Sequence, residues 1–249
     1  MAITVEDIAQ YPSPGMDCPS SFSFSPDNRY LTYLKAAGPD GSKALFAWEL
    51  SSRTETLVAS SLADSSTEES LEEQLRRQRL RQMSKGISQY TWIADGRILI
   101  PDSGSVYILD SLGSIPRLLV NGEEYPAIDP KASPDGSSLA FVSKGDIYSV
   151  PIGGGTPSMR TAGGREGTTR GLADYIAQEE MRRSSGYWWS PDSSLIAFTE
   201  VDETHIPEFH ISHLGKDSPG DPSWEVHRYP FAGCDNPQVR LGVVDMQGH

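Results

Sequence analysis

Glu179 and Glu180 stand side by side in the run Tyr175-Ile176-Ala177-Gln178-Glu179-Glu180-Met181, just ahead of the aromatic segment Gly186-Tyr187-Trp188-Trp189-Ser190-Pro191-Asp192. An adjacent carboxylate pair suits one ligand group above others, a primary ammonium with its three N–H donors. The chemistry offered is capture of a free peptide N-terminus. Glu pairs are also common on solvated helix faces, so the surrounding residues must decide between the two readings. A second candidate is the basic run Arg76-Arg77-Gln78-Arg79-Leu80-Arg81, followed by Gly86-Ile87-Ser88-Gln89-Tyr90. Spacing alone reads it as a solvated, self-paired helix.

Other chemistry has little support. No G-x-S-x-G nucleophile elbow occurs in the 249 residues, so no catalytic residue is assigned. The clusters Gly153-Gly154-Gly155 and Gly163-Gly164 lack the spacing and strand context of phosphate cradles and read as loops. His205, His210 and His213 show no zinc-ligand pattern, so neither metal nor cofactor is expected.

The elements that must position the Glu pair are strands. Phe24-Ser25-Pro26-Asp27 opens a turn followed by an apolar run, and Ala132-Ser133-Pro134-Asp135 and Trp189-Ser190-Pro191-Asp192 repeat it. Trp92-Ile93-Ala94-Asp95 is a degenerate copy. Proline presets φ at such a turn and the Asp side chain caps it. Recurrence at about 40–60 residues is the mark of a β-propeller, here of about four to five blades. The largest interruption, about 66–85, reads as a helix. Ser66 and Glu69 form a capping box, acids precede bases along it, and Leu71 and Leu75 give it an apolar edge.

Composition narrows the partners. A net charge of −13 argues against nucleic acid and anionic membrane surfaces, and no apolar run approaches spanning length. The first residues show neither a basic nor an apolar leader region, and Cys18 and Cys234 fit a reducing compartment better than a disulfide framework. A cytoplasmic protein is the expectation.

The stretch Gly171 to Glu203, GLADYIAQEEMRRSSGYWWSPDSSLIAFTEVDE, resembles the most recognisable segment of the dipeptidyl peptidase IV family. Tyr229-Pro230-Phe231-Ala232-Gly233-Cys234-Asp235-Asn236-Pro237-Gln238-Val239 extends the likeness, which begins at Val5-Glu6-Asp7-Ile8. The resemblance implies an all-β fold: part of an eight-bladed propeller filling residues 1–249, with an inserted Arg-rich helix and a short Glu-Glu helix. It further implies that Glu179 and Glu180 bind the substrate's α-amino group, and that Arg77 reaches a peptide carbonyl; helical spacing puts Arg81 on Arg77's face one turn on. The family's α/β-hydrolase domain, with its Ser-Asp-His triad, is expected to be absent from this chain, which ends within the propeller.

The function so implied is the substrate-gating part of a serine exopeptidase releasing N-terminal X-Pro or X-Ala dipeptides. Its partners would be peptides with a free N-terminus, the missing hydrolase domain and, in the full-length form, a second copy. Two alternatives are a non-catalytic peptide- or protein-binding propeller module and an inactive remnant of a truncated gene.

Overall fold

The computed structural model describes residues 3–9, 18–38, 41–62, 71–82, 85–212 and 224–249. Two compact units divide the chain. The first holds Met1–Ser143, Tyr148–Ser158 and Pro191–Ser193, and the second Lys144–Ile147, Met159–Ser190 and Ser194–His249.

After the short helix α1 (Val5–Ala9), the chain builds four-stranded antiparallel meanders in sequence order. The first sheet is β1 (Ser20–Phe24), β2 (Tyr30–Ala36), β3 (Lys43–Glu49) and β4 (Thr54–Ala59). The helix α2 (Leu71–Arg79) follows. The second sheet is β5 (Thr91–Trp92), β6 (Ile98–Asp102), β7 (Ser105–Leu109) and β8 (Arg117–Val120). The third is β9 (Ile128–Ala132), β10 (Ser138–Ser143), β11 (Asp146–Pro151) and β12 (Ser158–Met159).

Successive side chains of a strand point to opposite faces, and the second sheet uses both. Ile98, Ile100 and Leu109 join Leu34, Leu45 and Ile87 in one apolar cluster. Leu99, Val106 and Ile108 join Leu139, Phe141 and Val150 in another. A sheet covered on both faces reads as a continuous apolar run, which is why Ile98-Leu99-Ile100 does not alternate with polar residues. Burying each of these side chains contributes about 1.5–3 kcal/mol.

The Ser-Pro-Asp turns join β1 to β2, β9 to β10 and, in the second unit, the strand Tyr187–Trp189 to the strand Leu195–Asp202 by a shared set of bonds. Ser133 donates its hydroxyl to Asp135 (2.5 Å), accepts there from the Ser138 amide (3.0 Å), and donates its own amide to the Ser138 carbonyl (2.8 Å). Ser25 repeats this with Asp27 (2.6 Å) and Tyr30 (3.0 Å). Ser190 accepts from the Leu195 amide at 2.9 Å. The degenerate copy keeps the backbone bonds, Ile93 to Arg97 at 2.8 Å, and the Asp95 cap on the Arg97 amide at 3.2 Å, and buries the isoleucine in the serine's place. The serine hydroxyl, which sequence reasoning passed over in favour of proline, is thus the centre of the turn.

In the second unit, β15 (Leu195–Asp202) is the central strand. One of its edges pairs along the whole length with β18 (Gln238–Asp245). The other edge is shared end to end by β13 (Thr168–Arg170) and β14 (Tyr187–Trp189), with α3 (Tyr175–Glu179) between them. The hairpin of β16 (Glu208–Ser212) and β17 (Trp224–Arg228) interrupts the passage from β15 to β18. The all-β, blade-like architecture agrees with the expectation. Among the described residues no helix is long and apolar enough to cross a membrane, and Cys18 and Cys234 are exposed free thiols.

Helix α2 departs from its expected course. Ser66, Glu68 and Glu69 lie outside the described residues, so the capping box does too. At the other end the helix stops at Arg79. Arg81 takes the left-handed conformation (φ 58°), with its amide on the Gln78 carbonyl and the Gln82 amide on that of Arg77. This is a Schellman termination with arginine where glycine is favoured. Arg81 therefore leaves the helix and does not share Arg77's face, contrary to the spacing argument.

Two outcomes follow. Arg81→Gly should stabilise the first unit by about 1 kcal/mol in denaturant unfolding, since glycine adopts that φ without the Cβ penalty. The Asp135 carboxyl is held down at about 2, chiefly by the Ser133 hydroxyl and then by the Ser137 amide and hydroxyl. A folded value below the unfolded one means that the turn's contribution is complete above about pH 4 and is lost as pH falls toward 2. Asp135→Asn should flatten the fall in thermal midpoint between pH 5 and pH 2.5.

Candidate functional site

The Glu pair is carried by an excursion from a strand edge. β13 runs antiparallel to β15 from Asp202 to Glu200, and β14 resumes opposite Phe198. Thr199 lies in the gap, and its groups close the base of the excursion. Its carbonyl accepts from the Gly171 amide (2.9 Å) and its amide donates to the Gly186 carbonyl (2.8 Å). Its hydroxyl reaches the carbonyls of Leu172 (3.1 Å) and Gly186 (3.2 Å). The threonine is buried, so each of these bonds is shielded from water.

Glycine is required at this neck. A Cβ on Gly186 would lie 2.4 Å from the Leu172 carbonyl carbon and 2.5 Å from that of Gly171, both backbone atoms that cannot swing aside. The departing leg is fixed separately. Arg170, opposite Glu200 in register, pairs with it at 2.6 Å and with Asp146 at 3.5 Å. Asp146 in turn accepts from the Thr161 hydroxyl (2.8 Å) and the Gly164 amide (2.7 Å).

Within the excursion, Asp174 caps α3 by accepting from the Ala177 amide at 3.0 Å. Gln178 folds back to donate to the Ala173 carbonyl at 2.7 Å. Ala177 is buried, whereas Glu179 and Glu180 are exposed at the helix C-terminus, Glu180 being its C-cap. A helix C-terminus carries partial negative charge, so it is a poor place for two carboxylates. The Tyr175 ring meets Tyr229 edge-on (5.3 Å), Tyr229 meets Phe231 (5.1 Å), and Phe231 meets Phe209 (5.6 Å). The Tyr229-Pro230-Phe231 motif thereby packs against the helix that carries the pair.

Arg77 belongs to the first unit and is described there by itself. It sits in the last turn of α2, with Nη2 donating to the Gln82 carbonyl at 3.3 Å. Its neighbour Arg76 is the buried one, paired with Glu73 (3.1 Å) and Asp129 (3.5 Å), and Lys131 pairs with Asp129 (2.9 Å). Sequence reasoning grouped Arg76 with the solvated charges. Breaking such a buried pair from one side costs about 3–5 kcal/mol, so Arg76 anchors α2 to β9. Among the described residues no group of three or more His, Cys, Asp or Glu is placed to hold a metal ion.

The geometry predicts opposite stability effects at two positions. Gly186→Ala should destabilise the second unit by about 1–3 kcal/mol, with accelerated hydrogen exchange at the Thr199 amide. Glu180→Gln should raise stability, by about 0.3–1 kcal/mol in low salt, because a like-charge clash with the helix end is relieved.

Residues 102–249 match the family described as the dipeptidyl peptidase IV (DPP IV) N-terminal region, a span that includes the Glu pair and not Arg77. Prolyl endopeptidase FAP of Homo sapiens is 36% identical over 115 residues, 45% of this chain and 15% of that protein. Inactive dipeptidyl peptidase 10 of Rattus norvegicus is 31% identical over 115 residues, 45% of this chain and 14% of that protein. The alignments thus span about one seventh of these relatives' length. The crystal structure of Porphyromonas gingivalis dipeptidyl peptidase 4 matches 99% of this chain and 34% of its own at a TM-score of 0.65 and 20% identity, a likeness of fold. With more than half of its residues inside that N-terminal region, the chain belongs to the dipeptidyl peptidase IV family.

Proposed function

We propose that this chain is the substrate-gating propeller part of a cytosolic dipeptidyl peptidase, in which Glu179 and Glu180 bind the α-ammonium of a peptide substrate. The observation that carries the reading is the placement of two adjacent, exposed carboxylates at the C-terminal end of a helix tethered at both legs. An arrangement unfavourable on its own becomes favourable once a cation arrives, because charge-assisted hydrogen bonds then replace repulsion. Arg77 is the donor for a peptide carbonyl.

In this reading the Glu pair works as a ruler. Anchoring the amine at a fixed point sets which peptide bond reaches a nucleophile on a separate catalytic domain, so remote binding energy is spent on orientation. A dipeptide unit, X-Pro or X-Ala, would be released. An acetylated N-terminus carries no charge and would leave the carboxylates without their partner.

Among the relatives that share sequence with this chain, one is named a prolyl endopeptidase and another an inactive dipeptidyl peptidase. That observation gives a second reading some weight, a binding module that holds peptide N-termini without cleavage. Both readings require the ammonium clamp, and they part on the mass of the native polypeptide. An antibody to the 171–203 segment should detect a band several times heavier than 27.2 kDa if a catalytic domain is joined to it.

The clamp itself is tested by titrating the chain with Ala-Pro-Ala and with its N-acetyl form. The free amine should bind at least tenfold more tightly, and Glu179→Gln or Glu180→Gln should each cost about tenfold or more. Equal affinity for the two peptides would contradict the proposal.

A further inference from the structure

The second arginine after the Glu pair makes more contacts with the excursion than any exposed charge needs. Arg183 donates its backbone amide to the Ala177 carbonyl (2.9 Å), at the helix's buried residue. Its Nη1 donates to the Ser185 carbonyl (3.0 Å) on the returning leg. Its Nη2 pairs with Asp174 (3.4 Å), whose other oxygen caps the start of the helix. The carboxylate is buried and the guanidinium half-buried. The side chain therefore ties the helix start to the return to the neck at Ser185, which is bridged to Leu172, while the backbone amide holds the helix body.

Charge makes the arrangement more telling. A cation three residues from a carboxylate pair could neutralise that pair and compete with an incoming ammonium. Arg183 is instead held on Asp174, on the opposite side of the helix's sequence from Glu179 and Glu180. Its planar fork makes the two donor directions simultaneously, which a lysine cannot do.

We infer that Arg183, locked by Asp174, is a positioning residue that fixes the direction of the Glu179–Glu180 carboxylates while withholding its own charge from them. The inference rests on the ammonium reading above. It requires that loss of Arg183 act on ligand affinity through the Glu pair, and not merely through overall stability.

The test uses the full chain, with Ala-Pro-Ala as probe by isothermal titration, and circular dichroism and thermal melting alongside. Arg183→Ala and Asp174→Asn should each weaken binding about tenfold, and Arg183→Lys should recover part of the loss. In a background with both Glu179→Gln and Glu180→Gln, Arg183→Ala should have no further effect on affinity, because its route to the ligand is already cut. An undiminished tenfold loss in that background would mean a purely structural role and would overturn the inference. So would unchanged affinity of Arg183→Ala and Asp174→Asn when Glu180→Gln binds weakly. If Glu180→Gln binds as tightly as the unsubstituted chain, the ammonium reading falls, and this inference with it. Should Arg183→Ala fail to fold, the same comparison is made with Arg183→Lys and Asp174→Asn.

Discussion

A strand edge is a fixed row of donors and acceptors, and a chain that leaves it must return to the same row. Thr199 is where this constraint is met. Its amide, carbonyl and hydroxyl take both legs of the excursion within one residue's length, leaving the residues between them free to form a helix without disturbing the sheet. Such a base needs a residue with a hydroxyl on β15 and a residue without a side chain opposite it, and Thr199 and Gly186 supply them. Everything that gives the Glu pair a defined position is built outward from that pinch: the Asp174 cap, the buried Ala177, the packing of Tyr175 on Tyr229.

The charged groups of the chain fall into two kinds with different physics. Those that bear structure are enclosed and paired, as in Arg76 with Glu73 and Asp129, and Arg170 with Asp146 and Glu200. Desolvation makes these pairs poor sources of net stability but unforgiving of a lost partner, so they fix register and orientation. Glu179 and Glu180 are exposed and lie at the end of a helix. Exposure is what leaves the Glu pair open to the proposed ligand in a chain whose net charge is −13.

Much of this was legible in the residue order. The Ser-Pro-Asp repeats marked the first turn of successive sheets because the turn's hydrogen bonds are local, and local chemistry is written in adjacent residues. The Glu pair was legible for the same reason. The neck was not, because Gly171, Gly186 and Thr199 are far apart in sequence and acquire their roles only when β13 and β14 share one edge of β15. The helix α2 shows the opposite failure. Its charge pattern favoured continuation through Arg81, but the chain reverses there through a left-handed arginine that no propensity favours. Arg76 was likewise hidden, since a buried arginine and a solvated one look alike until Asp129 is brought beside it.

The central claim is that two carboxylates on a tethered helix recognise a positive amine. Its most direct measure is the affinity of the chain for Ala-Pro-Ala as a function of pH from 6 to 10, at fixed ionic strength. The peptide's α-amino group loses its proton near pH 8, so the affinity should hold steady below that value and fall about tenfold for each further unit above it. An affinity that is level through pH 10, or matched throughout by the N-acetyl peptide, would contradict the account.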